Sequence, residues 1–558
     1  MKNILSAVLI LLSYSLTAQS IEQGRKFMNY QRYQSARSEF QKILNTKPGD
    51  PEATYWLGQA EIALGNTEAA KTLYRNAVKT NNHPLLIVGS GEADLLESKT
   101  AEAKNRFESA ITLTKSKNAE VLAAIARAHI NAPAGDGNYA VSQIQTATAI
   151  KGVKDPSLFI LKGDAYVKLR EGGQAINAYD EALALDPNNA SAIYRQASIY
   201  VTVNAKQTFL PLFDKALAID PTFAPAYFAL YEYWFKRDVK KSENYLNQYI
   251  SNTDQDPENA YHLINLKTAS QQYAEAIKDA DALIQQLGAN NVKPRIYRLK
   301  ASCYKNLGDF PNALKSADEF FKQVKPNDIL SQDYELYADI LAATPDKQSS
   351  ALSFYDQALT LETDTEARTA IMLRAYELAK KIKDRQAALQ WMERVYASKT
   401  KPGNVDLSNL GRAYFEAGEQ SYANFFKADS IFAIYTTNYP SQAFGYYWRG
   451  RSNWSIDSTL SNGLANPHFE KFLAIATTGP DSVSLRSQIK IAYRYFIGYH
   501  VVKQDYSTAL SYCDRILAID PVDKDALELK KQLTRSKWPA PSASLNRKKR
   551  LNQFNSQG

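Results

Sequence analysis

Small and aromatic residues return at a fixed interval along the chain. Gly163, Tyr166, Ala175, Tyr179, Ala182 and Pro187 are followed 34 residues later by Ala197, Tyr200, Phe209, Phe213, Ala216 and Pro221. Nearer the N-terminus, Gly24, Ala36 and Phe40 recur at the same step as Gly58, Ala70 and Tyr74, and 33 residues further on as Gly91, Ala103 and Phe107. Self-similarity at such a period marks an array of stacked units. The residue types say what each unit is. A small residue in the first half and two alanines in the second sit where paired helices press together, because only a small side chain lets two axes approach to about 8–10 Å. Tyr, Phe or Trp fills the space left beside them. The string Leu-Ala-Leu/Ile-Asp-Pro closes units at Pro187, Pro221 and Pro521, since proline cannot continue a helix and restricts the residue before it. Each unit is predicted to be one helical hairpin.

Composition supports mostly helix. The 558 residues are 45% hydrophobic and include 23 Gly, 21 Pro and 2 Cys. That excludes a disordered or collagen-like chain, a disulfide framework and a glycine-turned β fold. Cys303 and Cys513 fall about six units apart, beyond disulfide reach, and are expected as buried, inert thiols.

The pattern resembles the tetratricopeptide repeat (TPR) family, through Leu57-Gly58 with its spacing to Ala70, Tyr74 and Ala77, and through the near-complete unit Pro156–Asn189. The resemblance implies an all-α solenoid, a right-handed superhelix of about fourteen hairpins whose first helices line a concave face. N-terminal units are expected over 19–155, central units over 156–403, C-terminal units with insertions over 404–521, and a capping helix over 522–536.

The C-terminal units depart from the period. Gly411 to Phe432 is 21 residues where well-matched units show 16, and Gly450 to Phe472 is 22. The segment Asp457–Pro467, rich in Ser, Asn, Asp and Gly, reads as a loop. Twelve aromatic residues fall between Tyr414 and Trp448. Carrying over the family's concave slots places Arg412, Phe415, Phe444, Tyr447, Arg451 and Trp454 in the groove. Aromatic and Arg side chains on such a face are what interface hot spots are made of; extra core packing is the competing reading. The same slots put Arg295, Arg298 and Lys305 together as a clamp for an acidic segment, or, in the alternative, as partners neutralised by Glu335 and Asp339 of the next unit. The asparagine-containing carboxylate clamp of chaperone-binding members is not reproduced.

Residues 1–18 read as a signal peptide: Lys2, then the apolar run Ile4–Leu12, then Ala18 at the exit. The net charge of +9 is concentrated at the ends, in Lys2 and a tail at 537–558 that carries Arg547-Lys548-Lys549-Arg550. Without them the body holds 61 bases against 58 acids, too even a mixture for a phosphate-tracking groove. No nucleic acid is therefore expected; no later stretch reaches eighteen apolar residues, so no membrane span is expected either, and the tail is expected to be disordered, with weak attraction to anionic surfaces. His83, His129, His262, His468 and His500 are scattered without ligand spacing, and neither His-Glu-x-x-His nor Cys-x-x-Cys occurs. Gly89-Ser90-Gly91 lacks the continuation of a phosphate loop, and no nucleophile elbow is present. No cofactor and no metal are expected.

These readings converge on an exported, non-enzymatic scaffold that holds one or more envelope proteins in the periplasm, or at the outer membrane, of a Gram-negative-type bacterium. Two alternatives remain open: an accessory enzyme of envelope or glycan metabolism, and a periplasmic chaperone for outer-membrane proteins.

Overall fold

The structure, a computed structural model, describes residues 21–478 and 483–534. The leader expected at 1–18 and the basic tail expected at 537–558 lie outside the described residues. Among those residues there are fourteen helical hairpins and no strand. The first hairpin joins residues 21–29 to Tyr33–Thr46, the second Pro51–Ala63 to Thr67–Thr80, and the fourteenth Arg486–Val502 to Tyr506–Ile519, after which Lys524–Thr534 stands alone. The chain divides into two compact units, Met1–Val292 and Lys293–Gly558, so the division falls inside the stretch assigned to the central repeats. Eight hairpins belong to the first unit; six and the terminal helix belong to the second. No helix among the described residues is long and apolar enough to cross a membrane.

The small slot has a specific occupant. A Cβ placed on Gly24, Gly58, Gly91, Gly163, Gly411 or Gly450 would fall within 2.6 Å of ring atoms of Phe40, Tyr74, Phe107, Tyr179, Phe432 and Phe469 respectively. The aromatic side chain of the second helix therefore lies flat on the glycine of the first, inside one hairpin. Tyr74 is shared, since it also covers Gly89 of the next hairpin. The partner of Gly450 is Phe469 and not Phe472, which corrects the spacing from 22 residues to 19. Most of the extra length sits in the turns. In hairpin twelve (Asn404–Glu416, Ala423–Asn438) a short 3-10 turn, Ala417–Glu419, extends the connection. In hairpin thirteen (Ala443–Ile456, Asn466–Ala476) the Asp457 carboxylate gathers the loop by accepting from the backbone N–H of Ser461, Asn462 and Gly463 at 3.1, 2.9 and 2.7 Å. Leu460 of that loop is 1% exposed and abuts Gly498. The predicted loop is thus an ordered plug.

Asp-Pro does two jobs. Asp186 and Asp220 end second helices ahead of Pro187 and Pro221. Asp50, Asp155 and Asp256 instead start first helices, their carboxylates accepting from backbone N–H groups while the proline takes the first helical position. Cys303 and Cys513 are both buried and are not joined by a disulfide; burial pushes the Cys513 thiol up to about 11.

Candidate interaction surfaces

In hairpins two to four the first helices, Pro51–Ala63, Pro84–Leu96 and Ala119–Asn131, are buried nearly all round; every residue from Ala53 to Ala60 is buried. Their inner positions are polar and bonded to one another. Gln59 donates to the Glu92 carboxylate and to the Tyr74 hydroxyl (3.0 Å). Asn131 donates to Gln59 (3.1 Å) and to Glu92 (3.2 Å), and Tyr74 donates to the Tyr55 carbonyl (2.8 Å). Arg127 donates to the Tyr55 hydroxyl (3.0 Å) and lies over Trp56, with Arg25 over the same ring. Burial pushes the Glu92 carboxyl up to about 7, the direction desolvation dictates for an acid. Glu52 is also pushed up to about 7, by burial and by its neighbour Glu120. An enzyme reading would need such an acid to face a substrate. Glu92 is fully buried and both its oxygens are held.

Arg295, Arg298 and Lys305 come together on the first helix of hairpin nine, Arg295–Asn306, and each meets a carboxylate. Arg295 pairs with Asp333 at 2.8 Å and Arg298 with the same carboxylate, which has no exposed side-chain surface. Lys305 pairs with Asp339 at 3.0 Å. Glu335 turns away to Arg374 of the following hairpin, which also meets Asp339 at 3.2 Å. Neutralisation across hairpins is therefore the arrangement found, with Asp333 in the place expected of Glu335. The sequence reading missed Asp333 because it lies off the template slots; as the third residue of the helix Ser331–Ala343 it also accepts from Leu330 N–H at 2.9 Å.

The aromatic C-terminal set divides. Tyr447 is 7% exposed and packs on Phe472 at 5.3 Å; Phe444 packs on Phe432 and Tyr435; Trp454 packs on Phe469 and Tyr495. Tyr447 is buried in the core, which corrects its placement in the groove; Phe444 and Trp454 are half-buried, each packed against the core. Arg412, Phe415 and Arg451 form a face together with Trp448, which the template slots passed over. The Arg451 guanidinium lies over Phe415 at 5.2 Å, Trp448 at 5.9 Å and Tyr447 at 6.0 Å, and donates to the Tyr447 hydroxyl at 3.0 Å. Arg412 lies over Trp448 at 5.7 Å and reaches Glu416 of its own helix at 3.8 Å. No carboxylate pairs with Arg451 among the described residues. Of its five N–H donors, the aromatic seat and one hydroxyl use few.

Residues 28–85 and 160–222 each match a model described as tetratricopeptide repeat. The DnaJ homolog subfamily C member 3 homolog of Dictyostelium discoideum is 23% identical over 213 residues, 36% of this chain and 37% of the relative; the chain thus spans little more than a third of that relative's length. Among solved structures, the C-terminal part of a TPR repeat-containing protein from Cytophaga hutchinsonii is 25% identical, with 48% of this chain and 98% of that one covered at a TM-score of 0.35. A tetratricopeptide repeat protein from Parabacteroides merdae ATCC 43184 is 16% identical, with 46% and 97% covered at 0.36.

Proposed function

The chain is a tetratricopeptide-repeat protein, and from that premise we propose that it acts as a non-enzymatic scaffold that holds a protein partner on the first helices of hairpins twelve and thirteen. One observation carries this reading: Arg451 is seated on Phe415, Tyr447 and Trp448 with no carboxylate partner among the described residues, whereas Arg295, Arg298 and Lys305 are all neutralised. Aromatic and Arg side chains carry a large share of interface energies, and a guanidinium held flat by rings loses little freedom when it takes up a planar acceptor. Groups already consumed by internal pairs offer a partner much less. The apolar leader at Ile4–Leu12 supports export, and with it an envelope partner in the periplasm or at the outer membrane.

Photo-crosslinking in cells from position 412, which is exposed, tests the proposal. A discrete crosslinked partner is expected, and Arg451→Ala together with Phe415→Ala is expected to reduce its capture at least fivefold, about 1 kcal/mol. Unchanged capture by a variant whose helix content is intact rules out this face as the docking site.

A further inference from the structure

The helix Tyr33–Thr46 begins without a cap of its own, since the Arg32 side chain accepts from none of the first backbone N–H groups and only donates to the Ser35 hydroxyl at 3.4 Å. The missing acceptor comes from 220 residues away. Asp254, in the connection after hairpin seven (Ala224–Phe235, Val239–Asn252), accepts from the backbone N–H of Gln34 at 2.8 Å and of Ser35 at 3.1 Å, from the Ser35 hydroxyl, and from Arg32 Nε at 3.4 Å. A carboxylate at a helix start satisfies orphan N–H groups and opposes the positive end of the helix dipole. A second tie lies beside it. The Tyr30 hydroxyl donates to Asp220, and the Tyr30 ring meets Phe223 edge-on at 5.3 Å. Asp220 is held in place by Thr222, whose N–H and hydroxyl reach it at 2.9 and 2.7 Å, and the Asp254 carbonyl is held by Asn259 at 3.0 Å. The Asp220 carboxylate and the Asp254 backbone are thus also bonded on their own side.

Hairpins one, six and seven are neighbours here although five units separate them in sequence. The hairpins between must therefore curl back on themselves, which accounts for the burial of Gln59 and Glu92 on helices whose equivalents carry exposed charge elsewhere in the chain; Asn131 stands at the exposed end of their row. We propose that the turn of the first hairpin, residues 30–35, is a latch: seated on Asp220 and Asp254, it closes hairpins one to seven into a ring and keeps the inner helices of hairpins two to four sealed until it is released. Adjacent hairpins are joined by apolar clusters, whereas the latch rests mainly on two carboxylates, the Tyr30 ring against the core of hairpin six, and Tyr33 beside Tyr194, Arg195 and Tyr249. It is the weakest link of the ring and so the place for local opening to begin.

Hydrogen exchange by mass spectrometry on the full chain tests this with Asp254→Ala. Amides of residues 33–36 should exchange at least tenfold faster, and the inner helices 51–63, 84–96 and 119–131 should accelerate with them while circular dichroism shows unchanged helix content. Faster exchange confined to 33–36 would make Asp254 a local cap only and overturn the latch, as would no change anywhere. Should Asp254→Ala fail to fold, Tyr30→Phe removes a single hydroxyl and leaves the cap; a smaller acceleration of the same inner helices supports the latch, and exchange identical to the parent's overturns it.

Discussion

The residue that follows the small one in the first helix is Gln59 after Gly58 and Glu92 after Gly91, but Arg412 after Gly411 and Arg451 after Gly450. In the first unit these side chains bond one another and are buried; in the second they are seated on aromatic faces, Arg412 with exposed surface and Arg451 with part of its own. Hydrogen-bond chemistry separates the two cases. Gln, Asn and a carboxyl can both donate and accept once the acid is protonated, so a row of them satisfies itself across helices. Arginines only donate and repel one another, so a row of them cannot close and has to remain where water or a partner completes it. One slot in one repeat thus yields a sealed interior or a receptive face according to the residues placed in it.

The largest test of this contrast is the acid at the centre of the sealed row. Glu92 has an ordinary value of 4.5 and is pushed up to about 7 in the fold by burial. The folded state therefore binds the proton more tightly than the unfolded one. Its contribution is fully present below pH 4.5 and is lost as pH rises through 7, by something of the order of 3 kcal/mol. Glu52 works in the same direction, and His129, lowered to about 4 by burial, works in the opposite one. The difference between parent and Glu92→Gln isolates Glu92. Urea melts from pH 4 to 8 should show the variant gaining on the parent as pH rises, and parallel curves would show that Glu92 titrates normally.

Next in size is the glycine beneath the ring. Tyr74 cannot yield to an added methyl at Gly58, because its hydroxyl is tied to the Tyr55 carbonyl and to Gln59. Phe432, over Gly411, has no such tether. Gly58→Ala is therefore expected to cost about 2 kcal/mol through overpacking, net of the gain in helix propensity, and Gly411→Ala about half as much. Thermal melts compare them directly; equal losses would mean that the tether adds nothing to the rigidity of the first unit.

Much of this was legible in the chain. The 16-residue step from Gly58 to Tyr74 reports a contact inside one hairpin, so a periodic reading finds it. Hairpin thirteen escaped because Asp457 builds a loop whose length sequence alone does not assign, and two phenylalanines, Phe469 and Phe472, competed for one slot. Tyr447 followed a family template into the groove although the neighbouring Phe472 draws its ring inward. Asp254 was out of reach altogether: its partners are 220 residues away, and no local pattern distinguishes it from any other loop acid.

The hairpin turns show where the two units do not differ, and they supply the smallest test. Gly65 in the first and Gly308 in the second take left-handed backbone at φ +79° and +78°, while Arg170, Asn204, Asp346 and Lys383 take it at the same place in their hairpins without being glycine. Each non-glycine residue there carries a steric cost of about 1–2 kcal/mol, offset in a glycine variant by the greater entropy of its unfolded chain, about 0.5–1 kcal/mol. Lys383 is exposed, so that Lys383→Gly removes no buried contact. It should stabilise the second unit by roughly 0.5 kcal/mol, and Arg170→Gly should do the same for the first. A gain in one unit without the other would mean that the turns, like the slots after Gly58 and Gly411, are set by what surrounds them and not by the repeat.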